Sequence, residues 1–166
     1  MNHLYLIAED EKDTQTLVRG AFVWAGLDAP IQFVSDGEET LDYLKGRRKF
    51  GDRAAFPFPA ILLLDFNMPK LNGLEVLEKI RADESLRKLV VVMLSSSTDD
   101  REVERAYELG VNSYVEKPME FGELIHTIAC INEYWFGCNH FPHASSGVVR
   151  PEKRHRRPAK RRGGRA

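Results

Sequence analysis

Five short, mostly apolar runs punctuate this chain, and between them apolar residues recur at helical spacing. The runs are residues 4–7, 31–34, 61–64, 89–94 and 113–115. Near-continuous apolar runs of that length suit strands buried on both faces, where simple alternation would mark a half-exposed sheet. After the first run, Leu17, Val18, Phe22 and Val23 fall at helical spacing, and Leu41 and Leu44 do so after the second. Leu74, Leu77 and Ile80 follow the third run, and Val103, Ala106, Tyr107 and Leu109 the fourth. The last helix is marked by Leu124, Ile125, Ile128, Ala129, Ile131 and Trp135. Gly26, Gly110 and Gly137 stand where helices could terminate, and Trp24 and Trp135 are expected to anchor helices to the sheet. Five β-then-α units predict an α/β fold, a parallel sheet covered on both faces by helices. Right-handed crossovers then gather functional groups at the carboxyl ends of the strands, near a switch in strand order. Several fold families share this outline. Residues 47–59 are long for a connection, and Phe56-Pro57-Phe58-Pro59 cannot be helical, which predicts an ordered excursion beside the third strand.

Charge divides the chain where the periodicity stops. Residues 1–138 hold 15 Lys+Arg against 24 Asp+Glu, net −9, and residues 139–166 hold 9 basic residues against Glu152 alone, net +8. The reading is therefore one acidic domain, 1–138, and a basic tail, 139–166, too rich in Pro, Gly, Ser and Arg to bury a core and expected to be mobile. The tail could neutralise phosphates of nucleic acid, but no aromatic residues interleave its charges to stack on bases, and a solvated extension is the simpler reading. Two cysteines, Cys130 and Cys138, are too few for a disulfide framework and are expected as buried thiols in a reducing compartment. Cys138-Asn139-His140 with His143 looks like half of a zinc site, but partners for four ligands are absent nearby. The first residues lack the pattern of a signal peptide, and no stretch approaches the roughly 18 apolar residues of a membrane span. A cytoplasmic protein with no membrane partner is the expectation.

The chemistry sits at strand ends. Glu9-Asp10 follows the first run, Asp65 the third and Lys117-Pro118 the fifth. If the first and third strands are neighbours, three carboxylates meet. Two of them about 4 Å apart repel by roughly 4 kcal/mol at an effective dielectric near 20. Such a group either binds a cation or retains protons, unless it is a solvated acidic edge. Oxygen ligands alone suit Mg²⁺, with the Asn67 backbone carbonyl as a further donor. Ser95 ends the fourth run and could hydrogen-bond a phosphoryl oxygen or cap the next helix. Lys117 could pair with a carboxylate or a phosphate. No Gly-rich phosphate loop follows the first strand.

Taken together, Glu9-Asp10, Asp65 with Met68-Pro69 and Asn72-Gly73, Ser95, Tyr114 and Lys117-Pro118 resemble a response regulator receiver domain. The spacings agree, 30 residues from Asp65 to Ser95 and 22 from Ser95 to Lys117. The resemblance implies a flavodoxin-like strand order 2-1-3-4-5. It implies that Asp65 accepts a phosphoryl group from a histidine of a sensor kinase, with Mg²⁺ held by Glu9, Asp10, Asp65 and the Asn67 carbonyl. Ser95 and Lys117 would contact the phosphoryl oxygens, and the Lys117–Pro118 bond would be cis. Tyr114 would move inwards with Ser95, altering the face of the fourth helix, fifth strand and fifth helix, which could also mediate a homodimer. In a strand, an aromatic such as Tyr114 could equally serve only to pack.

Ser95 stands where many members carry threonine, which keeps the hydroxyl. The basic tail cannot supply a DNA-binding domain, so the expected output is a downstream protein target. The excursion at 47–59 is similar to that of stand-alone receivers partnering phytochrome-type kinases. Two rivals are a small phosphohydrolase with Asp65 as nucleophile, for which Asn67 removes the second acid, and a binding module without phosphorylation. The expectation is a signalling protein, not an enzyme.

Overall fold

The computed structural model describes residues 3–141, so the tail expectation for 142–166 lies outside it. Five strands form one parallel sheet: β1 (Tyr5–Ala8), β2 (Ile31–Val34), β3 (Ile61–Leu64), β4 (Val90–Ser95) and β5 (Ser113–Glu116). Their spatial order is β2-β1-β3-β4-β5, as the resemblance implied. Tyr5 pairs with both Ile31 and Ile61, so β1 is central and the strand order reverses between β1 and β3. Ligand crevices of open α/β sheets lie outside the carboxyl ends of the strands at such a reversal.

Helices α1 (Lys12–Trp24), α2 (Gly37–Lys45), α3 (Gly73–Ala82), α4 (Asp100–Glu108) and α5 (Phe121–Asn132) cover the sheet. Alternate strand residues divide the core in two. Leu6, Ala8, Leu62, Leu64, Val91 and Met93 meet Tyr43, Leu44, Val76, Leu77, Ile80 and Ala106 of α2, α3 and α4. Tyr5, Ile7, Ile61, Leu63, Val90 and Val92 meet Val18, Ala21 and Phe22 of α1 and Leu124, Ile128 and Ile131 of α5. Each fully buried leucine or valine on the central strands contributes about 1.5–3 kcal/mol. This two-sided burial is why the strand runs lack alternation.

Three helices start on side-chain caps, each worth about 1 kcal/mol. Asp36 accepts from Glu39 N at 2.7 Å, Asn72 and Glu75 form a reciprocal capping box, and Asp99 accepts from Arg101 N at 2.9 Å. Gly26 and Gly110 follow α1 and α4 with φ of +70° and +86°, as expected for helix stops. Gly137 does not stop a helix. It lies inside a π-helical segment, Glu133–Cys138, where a Cβ would come within 2.8 Å of the Glu133 carboxylate.

The excursion at 47–59 is ordered, as expected, and a cation organises it. The Arg53 guanidinium donates to the carbonyls of Tyr43 (2.8 Å), Leu44 (2.6 Å) and Phe56 (3.2 Å), joining the end of α2 to the returning loop. Phe50 and Phe56 close around the Tyr43 ring, whose hydroxyl donates to Pro57 O at 3.0 Å and is pushed by burial up to about 12.

Two further sequence expectations fail in the packing of the helices. Trp24 is 75% exposed and Val23 and Leu17 are also largely exposed. The buried stripe of α1 is Gln15, Val18, Ala21 and Phe22, so the apolar face begins on a glutamine and those three residues fall outside it. Trp135, by contrast, is buried in the core as expected. Cys130 and Cys138 are exposed, not buried: Cys130 falls outside the inward stripe of α5, Leu124, Ile128 and Ile131, and Cys138 ends the π-helical segment that follows.

Candidate functional site

Glu9, Asp10, Asp65, Ser95 and Lys117 lie at or just beyond the carboxyl ends of strands, whereas Tyr114 lies within β5, and the sheet ladder continues far enough to hold the backbones of Glu9, Asp65 and Lys117. Glu9 N donates to Val34 O (3.0 Å), Asp65 N to Ala8 O (3.0 Å) and Lys117 N to Ser95 O (2.7 Å). The neighbouring strand thus fixes where each side chain starts. Glu9 is 3% exposed and Asp65 8%, whereas Asp10 is half-buried.

The Lys117 ammonium bridges two acids, with Nζ 2.6 Å from Glu9 Oε2 and 2.9 Å from Asp65 Oδ2. Glu9 Oε1 accepts from Glu11 N at 3.1 Å, and Asp65 Oδ1 from Asn67 N at 3.4 Å. Burial raises the Glu9 carboxyl above the usual carboxylate range, more than the hydrogen bond and charge of Lys117 lower it. Burial alone would lower the Lys117 ammonium, but its hydrogen bonds to Glu9 and Asp65 prevail and raise it above the ordinary lysine value. A simple ion pair would have lowered the acid; here desolvation dominates at the more deeply buried partner.

Carboxylate oxygens of Glu9, Asp10 and Asp65 all lie within 4.8 Å of one another. Among the described residues, Asp10 makes no side-chain hydrogen bond or ion pair, which leaves a carboxylate facing the other two without a cation of its own. A hard, all-oxygen donor set of this size fits Mg²⁺ or Mn²⁺ and suits softer metals poorly.

Ser95 is fully buried, and its Oγ accepts from Ser97 N at 3.1 Å. The Tyr114 hydroxyl donates to Ser97 O at 2.9 Å, and Tyr114 N donates to the Tyr107 hydroxyl at 3.3 Å. The turn after β4 therefore carries Ser95 on one side and the Tyr114 hydroxyl on the other. Asn67 is exposed on the turn after Asp65. The Lys117–Pro118 bond is trans, contrary to expectation: every peptide bond among the described residues is trans. The trans form is the lower-energy isomer by about 0.5–1 kcal/mol.

Of two further residues that matter here, Gln15 was not singled out from the sequence, and Gly73 was named only within the motif, without a structural role. Gln15 is buried on α1; its Nε2 donates to Glu9 O at 2.6 Å, and its Oε1 accepts from Lys12 Nζ at 3.2 Å, which ties α1 to the acidic turn. A polar residue leading the stripe Val18, Ala21, Phe22 was the available signal. Gly73 N donates to Phe66 O at 2.8 Å, and a Cβ on Gly73 would lie 2.6 Å from Asp65 O and 2.7 Å from Met93 Cε. Only glycine lets α3 start against the Asp65 turn. Gly73→Ala is expected to cost about 2–3 kcal/mol, read as a lower urea midpoint with an unchanged slope.

The family model for the response regulator receiver domain matches residues 5–129. The chain belongs to that family. FilR2 of Methanothrix harundinacea, named a probable methanogenesis regulatory protein, is 40% identical over 139 residues, 84% of this chain and 87% of FilR2. Among solved structures, this receiver is similar to the response regulator RPA3017 in red light signaling of R. palustris: TM-score 0.82, 39% identity, 86% of this chain and 99% of that one. It is also similar to the phosphorylated cyanobacterial phytochrome response regulator RcpA, with TM-score 0.79, 29% identity and the same coverage of both chains. The Mn²⁺-bound form of response regulator Rcp1 superposes with TM-score 0.74 at 28% identity, over 84% of this chain and 99% of that one. The receiver is thus a two-component signalling domain with a cluster suited to a divalent cation. No helix among its described residues is long and apolar enough to cross a membrane.

Proposed function

We propose that this receiver accepts a phosphoryl group on Asp65 from a phosphohistidine of a sensor kinase, with Mg²⁺ held by Glu9, Asp10, Asp65 and the Asn67 backbone carbonyl. The observation that carries the reading is the convergence of the Lys117 ammonium and three carboxylates on one strand-end crevice. When bound, Mg²⁺ supplies compensation for the charge of the phosphoryl oxygens. An Asp65 carboxylate oxygen attacks phosphorus in line, the P–N bond to the kinase histidine breaks, and a P–O bond forms. Lys117 exchanges its Asp65 contact for a phosphoryl oxygen and keeps its contact with Glu9. The Ser95 hydroxyl turns from Ser97 N to donate to another phosphoryl oxygen. Because Ser97 O accepts from Tyr114, a shift of this turn is felt directly by the Tyr114 side chain.

The output is then a population shift of the face formed by α4, β5 and α5, which meets a downstream protein target or a second copy of the chain. The receiver acts as a stoichiometric acceptor in the cytoplasm, and a phytochrome-type kinase is the proposed donor. The receiver unit is taken as residues 1–138. The basic stretch 139–166 is proposed to have no specific nucleic-acid role; its described start is not a free tail, because Phe141 packs against the Trp135 and Phe136 rings.

Asp10→Asn tests the cation set. Its carboxylate has no structural partner among the described residues, so the fold is expected to persist, while the Mg²⁺ concentration for half-maximal phosphorylation rises at least about tenfold. Phosphorylation with an unaltered Mg²⁺ requirement would remove Asp10 from the set.

A further inference from the structure

The acidic crevice uses hard oxygen donors, and a second set of ligand atoms of different character lies elsewhere on the domain. His126 and Cys130 are one turn apart on α5, both exposed, with Cys130 Sγ 3.5 Å from His126 Nε2. Neither is needed for packing, because α5 turns Leu124, Ile128 and Ile131 inward. Residues at i and i+4 share a helix face, and here their ligand atoms meet. With Zn–S of about 2.3 Å and Zn–N of about 2.0–2.1 Å, a tetrahedral angle separates sulfur and nitrogen by about 3.5 Å. The observed separation is that of a thiol–imidazole hydrogen bond, and it also matches the bite of a tetrahedral chelate. Among the described residues no third Cys, His, Asp or Glu ligand joins this pair, the only group of three or more being Glu9, Asp10 and Asp65.

We propose that His126 and Cys130 form a two-ligand site for a thiophilic divalent cation, Zn²⁺ in particular. Cys130 binds as the thiolate, its proton passing to solvent, and neutral His126 binds through Nε2. Water takes the remaining positions, so the site is an open, exchangeable chelate and not a closed four-ligand structural zinc site. Donor hardness keeps the two metal sites apart, since Mg²⁺ does not favour thiolate and Zn²⁺ gains most from it. This inference is independent of the role given to Asp65.

Co²⁺ is the probe, because thiolate-to-cobalt charge transfer in the near-ultraviolet reports sulfur ligation and is silent for the acidic crevice. Reduced, metal-free full-length protein is titrated with Co²⁺ and then with Zn²⁺. Wild type and Cys138→Ser are expected to develop the band and lose it as Zn²⁺ displaces Co²⁺. Cys130→Ser is expected to lack the band, and His126→Ala to need at least about tenfold more Co²⁺. All three positions are exposed, and circular dichroism checks that the fold is kept. No band in wild type, a band that survives Cys130→Ser or vanishes in Cys138→Ser, or an unchanged midpoint in His126→Ala would each overturn the proposal.

Discussion

Replacing Asp65 with Asn is expected to abolish phosphoryl incorporation from acetyl phosphate and from a cognate kinase while leaving the protein folded. Asparagine matches aspartate in shape, so the ladder bond from residue 65 to Ala8 O and the close approach of Gly73 are preserved. What changes is the nucleophile. A carboxamide oxygen carries no full negative charge and cannot yield an acyl phosphate. Intact-mass measurement after incubation with donor and Mg²⁺ would show one phosphoryl group on wild type and none on the variant. The variant should also bind Mg²⁺ more weakly, having lost one of three carboxylates.

Lys117→Ala is expected to move two quantities in opposite directions. The ammonium is the only cation paired with Glu9 or Asp65 among the described residues, and Glu9 is almost fully buried. Without it and without metal, two acids face each other uncompensated. Truncating one member of a buried pair costs about 3–5 kcal/mol, and the partial exposure of Lys117 reduces this to about 2 kcal/mol. Added Mg²⁺ should restore that loss and bind more tightly than to wild type, because the competing positive charge is gone. The labelling rate should nevertheless fall by about 100-fold, the usual effect of deleting one group that stabilises developing charge. Denaturant unfolding with and without Mg²⁺, beside initial labelling rates, separates the effects. Weaker Mg²⁺ binding in the variant would mean that Lys117 positions the cluster rather than competing for it.

The main architecture was legible because each strand run is bounded by chemistry that cannot be buried. The runs at 31–34 and 61–64 match β2 and β3, and β1 and β4 begin one residue later than their runs, which start at Leu4 and Leu89. The convergence of Glu9, Asp10, Asp65 and Lys117 followed from strand ends together with the family resemblance. The resemblance supplied the strand order, which local periodicity does not encode. It misled on the Lys117–Pro118 bond, which is trans. Helix faces were read less well, because hydrophobicity alone cannot say which of two adjacent residues turns inward. Leu17 and Trp24 flank the buried stripe of α1, while Gln15 occupies it because its carboxamide finds Glu9 O and Lys12. Cys130 was assigned to the core on residue type, although its position six residues after Leu124 places it opposite the stripe. Arg53 was invisible for a further reason: its partners are backbone carbonyls, which every residue carries.

Borohydride reduction of phosphorylated wild-type protein, followed by peptide mass mapping, tests the central assignment most directly, because it converts an aspartyl phosphate to homoserine at the modified position. Homoserine at residue 65 alone, formed only when Mg²⁺ is supplied, is the result expected. Homoserine at Glu9-flanking Asp10 or elsewhere, or modification of Asp65 that proceeds equally well in excess chelator, would contradict it.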